Sequence, residues 1–204
     1  MKKISLAFLI ISSLFFMSCV PEEATGDGSF DVPLKWSHVA ASKDWDIHLK
    51  KALEEHGSEL MDTVPADISN FSKKYKVMNY NQRLNFWAYL ISIMSERESN
   101  FNPEAFYVEA FNDANGERVV SRGLLQLSIE SARGYSCPVE TGQDLHDPEL
   151  NLICTVKIMK RWVLNDGVIS GQSGTSWRGG ARYWSVLRKD STLSFFTGFT
   201  LSLF

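Results

Sequence analysis

Glu98 has the address of a proton donor. It closes a run, residues 81–98, in which Leu84, Trp87, Ala88, Ile91 and Met94 recur at the three- and four-residue steps of a helix face. Met94, Ile91 and Trp87 precede it by four, seven and eleven positions. Its carboxyl therefore points toward a packed interior, whereas Glu96 lies about 200° round the helix and faces solvent. The following Ser99-Asn100-Phe101-Asn102-Pro103 turns the chain, so that the carboxyl borders a cleft. A carboxylic acid donates a proton at neutral pH only where its surroundings keep it protonated, and such a position meets that need. The competing reading is a buried glutamate neutralised by Arg97 or Arg122.

Further along stand Gly123-Leu124-Leu125-Gln126, then Asp147-Pro148-Glu149-x-Asn151-Leu152, then Tyr183. Together with Glu98-Ser99-x-Phe101-Asn102-Pro103, and in this order, they resemble the motifs of the soluble lytic transglycosylase family, which itself resembles goose-type lysozyme. The resemblance spans about residues 80–188. It implies that Glu98 protonates the β-1,4 bond between N-acetylmuramic acid and N-acetylglucosamine of peptidoglycan, helped by the substrate's N-acetyl group, and then acts as base. It also implies that Ser99 and Gln126 contact substrate, that Leu125 and Tyr183 wall the cleft, and that the Tyr183 hydroxyl holds Glu98. For the segment 123–127 the alternative is plain core packing. Two departures stand out. Tyr183 is followed by Trp184-Ser185-Val186 where the family usually has Asn-Ala-Gly, and the first two motifs lie farther apart than is usual.

Glycosidases otherwise use a second carboxylate. The insertion between the motifs offers Asp113 and Glu117, of which Asp113 also suits the Asn115-Gly116 turn. The position two residues beyond Gln126 is Ser128, not an acid. The expected outcome is thus a lytic transglycosylase giving a 1,6-anhydro product, with a muramidase that uses water as the alternative and a non-catalytic wall-binding protein as the rival from another class. No cofactor is expected, and no metal either, because Asp113-Ala114-Asn115-Gly116 lacks the glutamate that ends a calcium loop. His38, His48, His56 and His146 have no ligand spacing and read as surface residues.

The elements that must position these groups follow from the same patterns. Trp45, Leu49, Ala52 and Leu53 predict a helix from about Lys43 to Gly57, and a short helix is expected over 67–75. Phe106-Tyr107-Val108 and Arg118-Val119-Val120 flank Asn115-Gly116 as a hairpin. Ser128 caps a short helix through Arg133, and Asp147-Pro148 opens another that runs to about Asn165 and stops at Gly167. A Gly/Ser-rich loop, 168–176, leads to a last helix near 180–187. The uncharged tail 191–204 has no evident helical period, and strand, disorder or an aberrant reading of the gene all remain open. The fold class is mainly α, a lysozyme-like α+β domain over 43–190 with a small β-hairpin beside the active-site cleft.

With 204 residues and 44% hydrophobic content, one substantial core is expected. Met1-Lys2-Lys3 and the apolar run Ile4 to Met17 read as an export leader too short to span a bilayer comfortably. Phe16-Met17-Ser18-Cys19 resembles a bacterial lipoprotein signal with Cys19 as the lipidation site; a plain cleaved leader is the alternative. Residues 20–42, with scattered Gly, Pro and acids, read as a flexible tether. Loss of Lys2 and Lys3 with the leader takes the 21 basic residues to 19 against 24 acidic ones, a net charge of −5 that gives nucleic acid no footing. Cys137 and Cys154 then remain as an even pair in an oxidising compartment, either bridged, worth about 3 kcal/mol, or two buried thiols. The expected protein is a periplasmic monomer, lipid-anchored to the outer membrane of a Gram-negative bacterium, whose partner is the glycan strands of peptidoglycan.

Overall fold

Asn79 opens the helix around which the molecule is built. Its side chain accepts from the Gln82 backbone N–H at 2.9 Å, and the Gln82 side chain accepts from the Asn79 N–H at 3.0 Å, a reciprocal cap that starts the helix at Tyr80. The computed structural model describes residues 30–188 and 190–204; the leader, Cys19 and the first part of the tether lie outside the described residues. In chain order the elements are α1 (Trp45–His56), α2 (Ser58–Asp62), α3 (Tyr80–Ser99), β1 (Phe106–Asn112), β2 (Arg118–Arg122), α4 (Ile129–Gly134), α5 (Pro148–Asp166), β3 (Ser170–Ser173), β4 (Ser176–Gly179) and α6 (Asp190–Leu203). This is a mainly α fold of the α+β kind, with two small antiparallel hairpins, β1–β2 and β3–β4.

The helix α3 is not amphipathic in the manner its spacing suggests. Every residue from Leu84 to Ser95 is buried, because α1, α2 and α6 pack around it. A helix enclosed on all sides must satisfy its polar groups internally. Asn85 does so by accepting from the Val32 N–H at 2.7 Å and donating to the Val32 carbonyl at 3.0 Å. Ser92 accepts from the Lys35 N–H at 3.0 Å, and the Trp87 indole donates to the Tyr75 hydroxyl at 2.7 Å. Side chains such as Phe86, Trp87, Ile91 and Met94 each contribute roughly 1.5–3 kcal/mol by burial.

Those contacts correct two expectations about the ends of the chain. Residues 30–42 are not tether: Leu34 and Trp36 lie in the core, and the Trp36 indole donates to Asp46 at 2.6 Å. The tail 191–204 is helical, and α6 lays Phe196, Thr200 and Phe204 into the interior at four-residue steps. The expected helix over 67–75 is two 3-10 turns, Ile68–Asn70 and Tyr75–Val77, and the one near 180–187 is likewise two, Gly180–Arg182 and Ser185–Leu187. Between Gly167 and Gly180 the chain forms the β3–β4 hairpin instead of an open loop, tied by Asp67, which accepts from the Ile169 and Ser170 N–H groups at 2.8 and 2.9 Å.

The helix α5 begins and ends where expected, with Asp147 accepting from the Leu150 N–H at 3.1 Å and Gly167 in the left-handed region at φ 69°. Its Asn151 is a clamp. It accepts from the Leu125 N–H at 3.1 Å and donates to the carbonyls of Arg122 and Leu145 at 3.1 and 2.8 Å. Gly123, at φ 74°, lies against the Leu145 carbonyl and the Asn151 amide, where a Cβ would collide with both. Cys137 is joined to Cys154 of α5, their Cα atoms 5.3 Å apart. His146 is not a surface residue, for its Nδ1 lies 2.8 Å from the Pro103 carbonyl and its side chain is largely buried.

Candidate active site

The C-terminal end of α3 opens into a cleft of about 630 Å³. Glu98 lines it together with Glu109, Phe111 and Ser121 of the β1–β2 hairpin and with Tyr183 and Arg188 from the chain after β4. Asn100 and Phe101 end the helix with φ of 52° and 60°, and Gln126 across the cleft has φ 49°. Non-glycine residues in this region carry strain, which the buried Phe101 ring and its edge contact with His38 at 5.5 Å hold in place. The chain is thereby turned sharply away directly after the carboxyl.

Among the described residues Glu98 forms no salt bridge that would neutralise it. Arg97 lies over the Phe195 ring at 3.7 Å, and Arg122 donates to the Val120 carbonyl at 2.9 Å, so neither of the expected arginines serves. Its Oε1 is inaccessible and without a hydrogen-bond partner. Burial, chiefly, pushes its pKa up to about 7; the negative charge of Glu109 adds to this and Arg188 opposes it. At neutral pH the group is therefore poised between acid and carboxylate, the state a general acid/base needs.

Glu109 is the residue that sequence reasoning missed. It lies on β1, its Oε1 accepts a 2.6 Å hydrogen bond from the Ser121 hydroxyl of β2, and it lines the cleft with Glu98. The register pairs Tyr107 with Ser121 and Val108 with Val120, then shifts before Asn112 pairs with Arg118, and Glu109, Phe111 and Asn112 of this irregular stretch line the cleft. Strand alternation gives no signal for it, because the register shifts here and the neighbours Phe111 and Asn112 both line the cleft. Asp113 also borders the cleft, but its Oδ1 accepts from the Asn115 and Glu117 N–H groups at 2.8 and 2.9 Å, so it builds the hairpin turn.

The other expected site residues divide. Gln126 and Tyr183 line the cleft, but Gln126 Nε2 donates to the Gly123 and Ala105 carbonyls at 2.9 and 3.2 Å, leaving only its oxygen for a ligand. The Tyr183 hydroxyl accepts from the Ser128 N–H at 3.3 Å and bonds to Ser131, and so does not hold Glu98. Leu125 is fully buried and is core, not cleft wall. Ser99 donates to the Ser95 carbonyl at 3.2 Å within α3 and lies outside the cleft lining. Trp184, the departure after Tyr183, is buried and donates to the Leu125 carbonyl at 3.0 Å, so the altered motif anchors the second motif's loop. Among the described residues no group of three or more His, Cys, Asp or Glu side chains is disposed to hold a metal ion.

No family model and no curated protein sequence matches the chain. Three solved structures of one protein do. The wild-type form 2 of Bd0314 DslA is 44% identical, with a TM-score of 0.81, over 84% of this chain and 96% of that one. Two glutamate-to-glutamine mutants of the same protein match over the same shares, with TM-scores of 0.80 and 0.81. The two glutamates replaced there lie eleven positions apart in that protein's chain. With this identity over most of both chains, the chain described here belongs to the family of Bd0314 DslA.

Proposed function

We propose that this protein is a glycosidase that cleaves the β-1,4 bond between N-acetylmuramic acid and N-acetylglucosamine in peptidoglycan. The observation that carries the reading is Glu98, an unpartnered carboxyl lining an open cleft with a pKa pushed to about 7. Protonated, it donates to the glycosidic oxygen as the bond breaks; ionised, it takes a proton back from the acceptor in the next step. The motif resemblance around Glu98, Gln126 and Tyr183 supports the choice of substrate.

Glu109 bears on which acceptor is used. Glycosidases that hydrolyse commonly pair their acid with a second carboxylate that activates water or takes up the developing positive charge. Glu109 supplies such a group in the same cleft, with one oxygen held by Ser121 and the other left for the reaction. The eleven-residue spacing of Glu98 and Glu109 equals that of the two glutamates replaced in DslA, which supports treating them as a functional pair. This favours water as the acceptor, a muramidase, over attack by the muramoyl C6 hydroxyl. The sequence-based expectation of transglycosylation rested on the want of an acid at Ser128, and Glu109 fills that want from another element.

Mass spectrometry of products from digested peptidoglycan tests class and outcome together, because the anhydro product is lighter than the hydrolytic one by one water. Hydrolytic masses are expected, and Glu109→Gln should lower turnover at least tenfold. Products carrying only the anhydro end would return the assignment to a lytic transglycosylase. No cleavage by the wild type would overturn it altogether. Export, a lipid anchor at Cys19 and a periplasmic site of action belong to the same proposal, and Cys19→Ala should release the protein from membranes.

A further inference from the structure

Arg188 is the unassigned group of the cleft. Two arginines line it. Arg182 is neutralised by Asp166, with Nε and Nη2 at 2.6 and 3.0 Å from the two carboxylate oxygens. Arg188 forms no ion pair with any carboxylate among the described residues. Its Nε donates to the Ala181 carbonyl at 2.7 Å and its Nη2 to the Arg182 carbonyl at 2.8 Å, while the guanidinium lies 5.7 Å from the Trp177 ring centre. Backbone carbonyls and an aromatic ring fix its position, but they do not cancel its charge. The remaining charged or titratable groups that share the cleft with Glu98 are Glu109 on β1, Asp113 in the hairpin turn, Glu130 on α4 and Tyr183. Arg188 is thus the one unneutralised cation among the described residues facing four acids.

We propose that Arg188 is a positioning residue of this site, whose fixed guanidinium stabilises the carboxylate left on Glu98 once its proton has passed to the leaving oxygen. The inference rests on the function proposed for Glu98. The chemistry requires it: the proton leaves a carboxyl that is shielded from water and stands beside another negative charge, so the anion that remains needs a compensating cation within reach. Arg188 opposes the effect of Glu109 on Glu98. A lysine in its place would keep the charge but lose the two-carbonyl anchor that fixes it.

Carboxyl ¹³C NMR on labelled glutamate, with Glu98 assigned through Glu98→Gln, gives the titration directly and without substrate. In Arg188→Gln the Glu98 midpoint should rise, its acid constant falling roughly three- to tenfold. Arg188→Lys should recover most of that change. Arg188→Met, which keeps the stem over Trp177, serves as the second neutral variant if Gln loosens the turn. On peptidoglycan the neutral variants should lose kcat, with KM within twofold of wild type and the alkaline limb of the pH profile moved up. A Glu98 midpoint unchanged in both neutral variants overturns the proposal, as does a rise in KM with that midpoint fixed, which would make Arg188 a contact to an anionic part of the substrate. A wild type inactive on peptidoglycan would instead sink the proposed function, and the substrate-free titration would still decide the role of Arg188.

Discussion

Two long helices of this protein each carry an acid in their last turn, and the two acids have opposite fates. On α3, Glu98 has an inaccessible oxygen with no partner and a pKa pushed up to about 7. On α5, Asp166 has a side chain only 5% exposed, yet its pKa is drawn down to about 2. The difference is hydrogen bonding and charge. Asp166 accepts from Arg182, from the Gly179 N–H at 2.7 Å and from Asn165 at 2.9 Å, so its ionised form is the satisfied one. Glu98 faces Glu109, its inaccessible oxygen accepts no hydrogen bond, and Arg188 only partly offsets the two. Burial alone does not decide the protonation state of a carboxyl; the hydrogen bonds and charges around it do.

The sharpest way to break this contrast is Glu98→Gln, which keeps the shape and removes the transferable proton. Activity on peptidoglycan should fall about 10³–10⁴-fold, near the top of what general acid/base catalysis contributes, because one group serves both steps. Stability should move the other way. A folded-state pKa raised from 4.5 to about 7 means that ionising Glu98 opposes folding increasingly as pH rises through that window. The variant should therefore match wild type at pH 4 and exceed it by about 3 kcal/mol at pH 8 in urea unfolding. Activity close to wild type in a folded Glu98→Gln protein would end the catalytic assignment.

Much of this was legible in the sequence, and what was not has physical reasons. Glu98 could be found because a helix period and a turn motif converge on one position. Glu109 cannot be found the same way, since it shares the cleft with Glu98 only through the folding of the hairpin, and the acids beside the tight turn, Asp113 and Glu117, carry the more evident sequence signal. Leu125 was misassigned because a four-residue motif does not say which of its neighbours face inward; Trp184 and Asn151 decide that from distant elements. In α6 the stripe Phe196, Thr200, Phe204 was present but carried a threonine, buried here because its hydroxyl bonds to the Phe196 carbonyl at 3.1 Å. Leu34 and Trp36 were passed over because the composition around them is that of a linker.

The contrast can be sharpened from the other side by Asp166→Ala. This substitution leaves Arg182 without its carboxylate and the Gly179 N–H without an acceptor, and should cost about 2–4 kcal/mol at pH 7, since removing one member of an enclosed pair strands the other. The sign with pH is the reverse of that for Glu98. A folded pKa lowered from 3.8 to about 2 gives stability that is present above pH 4 and lost as pH falls through 2. Urea midpoints of wild type and variant should converge in that acid range. Equal midpoints at pH 7 would mean that the pair, for all its geometry, contributes nothing.

The smallest effect is expected at Glu96, two residues before Glu98 on the same helix. It is half-buried rather than fully solvent-facing, and one of its oxygens, inaccessible and without a hydrogen-bond partner like Glu98 Oε1, has the Lys35 ammonium 3.9 Å away. It is outside the cleft lining, so it has no route to substrate. Lys35 is also held over the Phe199 ring at 4.0 Å, a contact that survives if Glu96 becomes neutral. Partly exposed pairs of this kind contribute about 0.2–1 kcal/mol. Glu96→Gln should thus shift the urea midpoint only slightly and leave the rate on peptidoglycan within about twofold of wild type. A loss approaching that of Glu98→Gln, with the fold intact by near-ultraviolet circular dichroism, would show that negative charge anywhere near the end of α3 supports the reaction, and the assignment of the proton transfer to Glu98 alone would fail.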